Sequence, residues 1–483
     1  MAGKGERKAG EGARLLAVLR TPAVSRGSKG ILIPLAMAAV GWIILSSLVG
    51  TRSGHGYFHD PPRKPAPPKV LTLEDNGFEQ CRRLTEPLKP EALGYEADAA
   101  LHWAGRAAPA ALAGEAPRGY LAESRRGLRS IEFDQVAFRR AVEQPYFCTV
   151  PLDPRTDRAY LNGFLTAAEY VLTDAALKAS QGDAEGALDR CETIARLGAN
   201  LPRGEGRLGL GAARTLLART ALAQAAVLQA TDPGAGRLER HARRLKALED
   251  GLWPAAESMR AQWAMHEAEL IRSESQSIGD RYRSPDEADG PSGISPTEDA
   301  VLTFLSDSLW PPEQARRWLG DYAAKVVEET EAGASYREIE ALKREADRRA
   351  DERRHSWATL PVFGVGLAQC KLSSARIHNR LRAMRAIALV EKHERDTGQY
   401  PESLSDVPEY AEEGIPMDEE SGLPFGYRRE GQSFVLWTAG PDGLDDGAPA
   451  MDPKPERYDE WPDYVYYPPY YYRAADLDPP PET

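Results

Sequence analysis

Cysteine is scarce in this 483-residue chain: four copies, Cys81, Cys148, Cys191 and Cys370, none of them at C-x-x-C spacing. That absence argues against a structural zinc site, which draws on closely paired thiolates. An even number permits disulfides in an exported domain and equally permits isolated buried thiols, so both readings stand. Histidine is scarce too, with eight copies. His55 and His59 lie in a linker with no third ligand nearby and read as solvated. "HEAEL", His266 to Leu270, begins like a zinc-protease helix but has Leu where the second His belongs. There is no G-x-x-x-x-G-K-[ST], no G-x-S-x-G and no G-x-G-x-x-G following a strand. With no reaction motif, the chain reads as non-enzymatic. A basic stripe is also missing. The formal charge is −12, residues 1–30 alone carry +5, and the remainder therefore holds −17. An acidic body excludes a nucleic-acid surface, which must replace counterions with Lys and Arg.

Only one long hydrophobic run is present: "ILIPLAMAAVGWIILSSLV", Ile31 to Val49, without a charge. At 1.5 Å per residue its 19 residues would span roughly 28 Å, close to a bilayer core. It reads as an uncleaved signal anchor rather than a buried helix or a cleaved signal peptide. Seven Lys/Arg precede it, and the positive-inside rule puts residues 1–30 in the cytoplasm and the main body outside, at a bacterial inner membrane. Residues 50–70 turn Pro-rich and read as a stalk.

From 71 to 272 the pattern is helical. In "LNGFLTAAEYVLTDAALKASQGDAEGALDRCETIARLGANL", Leu165, Ala168, Val171, Leu172, Ala175 and Ala176 form one stripe. Gly182–Asp183 breaks the helix, and Ala187, Cys191, Ile194 and Leu197 form the next. This hairpin is similar to a tetratricopeptide unit, but an array needs several copies at a fixed period and no second clear copy appears, so an irregular bundle is the better expectation. Residues 273–300 are polar and turn-rich, a linker or loop. A helical segment, 301–375, follows, including a mixed-charge helix read as a solvated face.

The next helix places Ile377, Leu381, Met384 and Ala388 on one stripe, with Ile387 beside it. Gly398 suits its left-handed C-cap and Pro401 stops it. "PFGYRREGQSFVLWTAG" then predicts a hairpin in which Tyr427 faces the Phe434–Trp437 strand across a turn at Glu430–Gly431. "ERDTGQYP", "IPMDEESGLPFGYR", "GQSFVLWTAG" and "GPDGLDDG" follow in an order that resembles the globular head of the major pseudopilins of type II secretion systems. The resemblance covers about 70 of 483 residues, within 376–450. It implies a calcium loop in which Asp442 takes the place of the Gly-x-Asp-Gly aspartate, with Asp445 and Asp446 where further ligands are expected. Calcium wants six to eight oxygens, so an Asp/Gly turn without an ion is the alternative. Two departures speak against a filament subunit. The fifth residue of the hydrophobic run is Leu35, not Glu, and about 320 residues separate that run from the head-like part.

Residues 451–483 hold seven of the 19 Tyr and eight Pro, and read as an extended tail, disordered or alternatively a docking strand. The expected fold class is mainly α: a single N-terminal transmembrane helix, an irregular helical bundle and a small α+β C-terminal module with a β-hairpin. The expected function is that of a membrane-anchored envelope protein, held through residues 31–49. It binds or scaffolds other envelope proteins, in association with secretion or pilus-like machinery. The rivals are an exported enzyme with a carboxylate/His site in the helical domain and a structural module stabilised by calcium.

Overall fold

In the computed structural model the described residues are 76–147, 159–203, 206–273, 312–352, 365–440, 443–448 and 463–468. The chain divides into two compact units. One comprises residues 1–62, 263–325 and 345–364, and its described portions are helical. The other comprises residues 63–262, 326–344 and 365–483, and the site described below lies within it.

Its first part is a run of helices: α1 (Gly77–Leu84), α2 (Pro90–Leu93), α3 (Tyr95–Leu112), α4 (Gly119–Arg129) and α5 (Gln135–Val142). Short side chains start α1 and α5. The Asn76 side chain accepts from the Phe78 N–H, and the Asp134 carboxylate from those of Val136 and Ala137, satisfying donors that a helix start leaves orphaned. Phe78, Phe147, Tyr160 and Phe164 meet edge-to-face at 5.4–5.9 Å, the geometry that ring quadrupoles favour.

The predicted hairpin is formed by α6 (Ala159–Ala179) and α7 (Ala184–Asn200). Gly182 turns it at φ +83°, and Asp183 caps α7 through the Gly186 N–H at 2.8 Å. Ala187, Cys191, Ile194 and Leu197 are fully buried as the stripe requires; on α6 Ala168, Val171, Leu172, Ala175 and Ala176 are buried too, together with Phe164 and Ala167, and only Leu165 of the expected stripe lies toward the rim. α8 (Arg207–Ala230) and α9 (Ala235–Asp250) continue the bundle; α10 (Ala255–Ser273), α11 (Pro312–Glu331) and α12 (Tyr336–Glu352) follow in the chain.

The bundle closes on α13 (Val365–Thr397), which packs along α8 and α9 with Ile377, Leu381, Met384, Ile387 and Ala388 buried. A polar clamp fixes it. The Gln224 amide donates to the Met384 carbonyl at 2.9 Å, so its oxygen faces His241 Nε2, also at 2.9 Å. His241 Nδ1 meets Glu192 at 2.7 Å, and Arg237 donates to the same carboxylate at 2.8 Å. Burial alone would push Glu192 up, but His241, Arg237 and Arg244 together hold it down to about 2.

α13 ends as the sequence predicts, with Gly398 at φ +78°. A single-turn helix, α14 (Pro408–Glu413), leads to a three-stranded antiparallel sheet of order β1 (Gly426–Glu430), β2 (Ser433–Thr438), β3 (Tyr464–Tyr467). Tyr427 pairs with Leu436, and the turn falls on Gly431–Gln432, one residue later than the pattern indicated. The third strand comes from the stretch read as a disordered tail. Tyr464–Tyr467 pair with β2, and Tyr467 stacks on Phe434 at 4.2 Å. Paired backbone and a buried ring give this Tyr-rich segment the burial that its composition alone did not promise.

The spanning helix expected at Ile31–Val49 lies outside the described residues, and among these no helix is long and apolar enough to cross a membrane. The fold class is corrected accordingly: the described residues are mainly helical with one small antiparallel sheet, and none of their helices can serve as the expected transmembrane anchor. The longest helix among the described residues shows why none of them can. α13 has 33 residues, but Lys371, Arg376, Arg380, Arg382, Arg385 and Glu391 punctuate it, and hydrocarbon would leave those charges unsolvated.

Candidate functional site

The richest chemistry of this unit lies along α13, where one acidic loop and β3 meet the helix. The loop is tight because its backbone closes on itself. Phe425 N–H donates to the Pro416 carbonyl at 2.9 Å, Asp418 N–H to that of Leu423 at 2.7 Å, and Gly422 supplies φ +78°. At its centre Asp418, 1% exposed, accepts from the Glu420 N–H at 2.8 Å, the Ser421 N–H at 3.2 Å and the Asn379 amide of α13. Asn379 returns the contact by accepting from the Glu419 N–H at 3.0 Å. This reciprocal pair fixes the loop's register on the helix, so that Glu419 and Glu420 fall on opposite sides.

On one side Glu419 accepts from Arg382 at 3.1 Å, and Arg382 also donates to Glu249 of α9 at 2.7 Å. His378 Nδ1 lies 3.3 Å from Glu419, and burial holds that imidazole below its ordinary range. Two turns earlier Lys371 is buried. Desolvation pulls its amine down against the fields of Glu419 and Glu338, and its Nζ makes no ion pair among the described residues.

On the other side three arginines converge. Arg376 and Arg380 stand one turn apart on α13, and Arg214 comes from α8. Arg376 donates to Glu420 at 3.3 and 3.5 Å and to the Tyr464 hydroxyl at 2.6 Å, its guanidinium lying 5.3 Å from the centre of that ring. Burial pushes Glu420 up to about 7 in spite of Arg376. Arg380 donates through Nη1 to the Arg214 carbonyl at 3.2 Å. Burial pulls Arg380 down to about 10, and the like charges of Arg376 and Arg214 act in the same direction. The Arg214 guanidinium is lowered too, by burial and then by Arg376. Among the described residues neither Arg214 nor Arg380 has a carboxylate within ion-pair distance.

Asp442, first of the predicted calcium ligands, lies outside the described residues. Asp445 uses its Oδ1 to accept from the Trp437 indole at 2.8 Å and from the Gly447 N–H at 3.0 Å. The backbone of Asp446 donates to Asp463 at 3.3 Å, and the Ala448 N–H donates to the same carboxylate at 2.7 Å. Asp463, which the sequence reading did not single out, therefore braces this loop from the residue before β3. Among the described residues no group of three or more His, Cys, Asp or Glu is placed to hold a metal. Cys81, Cys191 and Cys370 are free, buried thiols, and Cys148 lies outside the described residues. Burial pushes Cys191 and Cys370 up to about 12 and Cys81 higher still.

The arginine cluster was missed because its members are 162 residues apart in the chain. The one available signal was local: Arg376 and Arg380 at i, i+4, facing away from the apolar stripe of the same helix. No protein-family model, curated protein or solved structure matches the chain.

Proposed function

We propose that this protein is a non-enzymatic, protein-binding scaffold in which a pseudopilin-head-like module is displayed from a helical body, with partners of the secretion or pilus-like class. The observation that carries the reading is α13. A single helix supplies both the seam of the bundle and the long helix of the head-like module, and the loop at Asp418 locks the sheet to it. Such a joint suits presentation of a surface at a defined angle. Pre-organisation of that kind raises affinity by removing ordering costs from the binding step. The partner class rests on the resemblance of residues 376–450 to the pseudopilin head.

The test is in-cell crosslinking of the full chain in its native host, with mass spectrometry of the products. It is repeated with Asp418→Ala, which releases the loop while leaving the bundle's helices intact by circular dichroism. The expected result is a reproducible set of secretion or pilus-type proteins that the variant loses. Recovery of the same set by the variant, or a set without any such protein, rejects the proposal.

A further inference from the structure

Counting charge around Arg214, Arg376 and Arg380 exposes a deficit. Glu420 is the carboxylate within ion-pair distance of this cluster among the described residues, and it is engaged by Arg376. That leaves the guanidiniums of Arg214 and Arg380, both half-buried, with no carboxylate within ion-pair distance among the described residues, at a seam where Arg380 Nη1 reaches the Arg214 carbonyl at 3.2 Å. A protein rarely holds two uncompensated cations together in a partly desolvated place without a function for them, because each keeps much of its desolvation cost. Arg376 is already fixed by Glu420 and Tyr464, so it forms a rigid wall rather than a mobile arm. The Tyr464 and Tyr466 rings line the same place and lower its dielectric, which strengthens attraction for an entering anion.

We infer that Arg214 and Arg380, walled by Arg376 and Tyr464, form a binding site for a phosphate-class oxyanion. Three features set the class. Two uncompensated positive charges call for two negative ones, and a phosphate near neutral pH carries between one and two, where a carboxylate carries one. Guanidinium forks match oxyanions in paired hydrogen bonds. Arg380 spends one N–H on the Arg214 carbonyl, which orients its remaining donors without consuming them. The source is either free phosphate or the phosphoryl group of a small phosphomonoester. The inference is independent of the scaffold reading and of its partners.

Thermal melting of the full chain in chloride at fixed ionic strength, titrated with inorganic phosphate, tests this. A saturable rise in Tm of several degrees is expected, with sulfate following it and acetate giving less. Arg214→Gln and Arg380→Gln should each cut the phosphate-induced rise at least by half while melting no lower than the native chain in phosphate-free buffer, since each removes an uncompensated charge. Phenyl phosphate distinguishes the sources: a larger rise than with phosphate assigns the site to a phosphomonoester, an equal one to the free ion. Phosphorus NMR line broadening on the unaltered chain, displaced by sulfate, reads the site without any variant. The inference is overturned by the absence of a saturable rise, by a rise undiminished in both variants, or by variants that melt equally lower with and without phosphate.

Discussion

Asp418 illustrates how much one buried side chain can organise. Its carboxylate accepts from two backbone N–H groups and from Asn379, and at 1% exposure no water can replace them. Asp418→Ala should cost about 3 kcal/mol, as each orphaned buried donor costs about 1–3 kcal/mol; urea unfolding measures it. Glu192 is the equivalent residue inside the bundle, where Glu192→Gln weakens the hold on buried Arg237 and should cost about 3 kcal/mol by the same measurement. The thiols make a prediction of a different kind. Cys81, Cys191 and Cys370 are buried and held in the neutral form, so they should resist alkylation in the native protein and react only on unfolding, as peptide mapping will show.

At the scale of elements, α13 and β3 decide how the C-terminal part is held. The apolar stripe of α13 serves the bundle, while its polar face receives the acidic loop and the tyrosines of β3. β3 is four residues long, yet it covers β2 and puts Tyr467 on Phe434 and Tyr464 on Arg376. Removing residues 449–483 should therefore uncover Phe434 and lower Tm by several degrees, with a rise in binding of an apolar dye as the accompanying signal. On the hairpin itself, Gly426 is required by space: the Trp437 indole of the paired position lies where a Cβ would stand. Gly426→Val should displace that indole from its hydrogen bond with Asp445 and cost about 2 kcal/mol, within the usual range for overpacking.

For the whole molecule, buried carboxylates of opposite character shape the response to pH. Glu192 is depressed to about 2 from an ordinary 4.5, so its contribution is present above pH 4.5 and is lost as pH falls toward 2. Glu391 and Glu420 are raised by burial to about 7, so folding favours their protonated forms. Their contribution is full below pH 4.5 and is lost as pH rises through 7. The two trends place the maximum of Tm near pH 5, with a decline toward neutrality. Calorimetry between pH 3 and pH 9 should show it, and Glu391→Gln should flatten the limb above pH 5.

Local chemistry is what the sequence by itself determined. The hairpin around Gly182, the stripe of α13, the stop at Gly398 and the pairing of Tyr427 with β2 all depend on residues a few positions apart, where periodicity and backbone preference act directly. The tertiary structure decided the rest. Which three arginines would meet, that Asp418 would lock onto Asn379, and that tail tyrosines would become a third strand depend on surfaces brought together from distant parts of the chain. Long-range polar pairing is set by burial, and burial belongs to the assembled core rather than to any one segment.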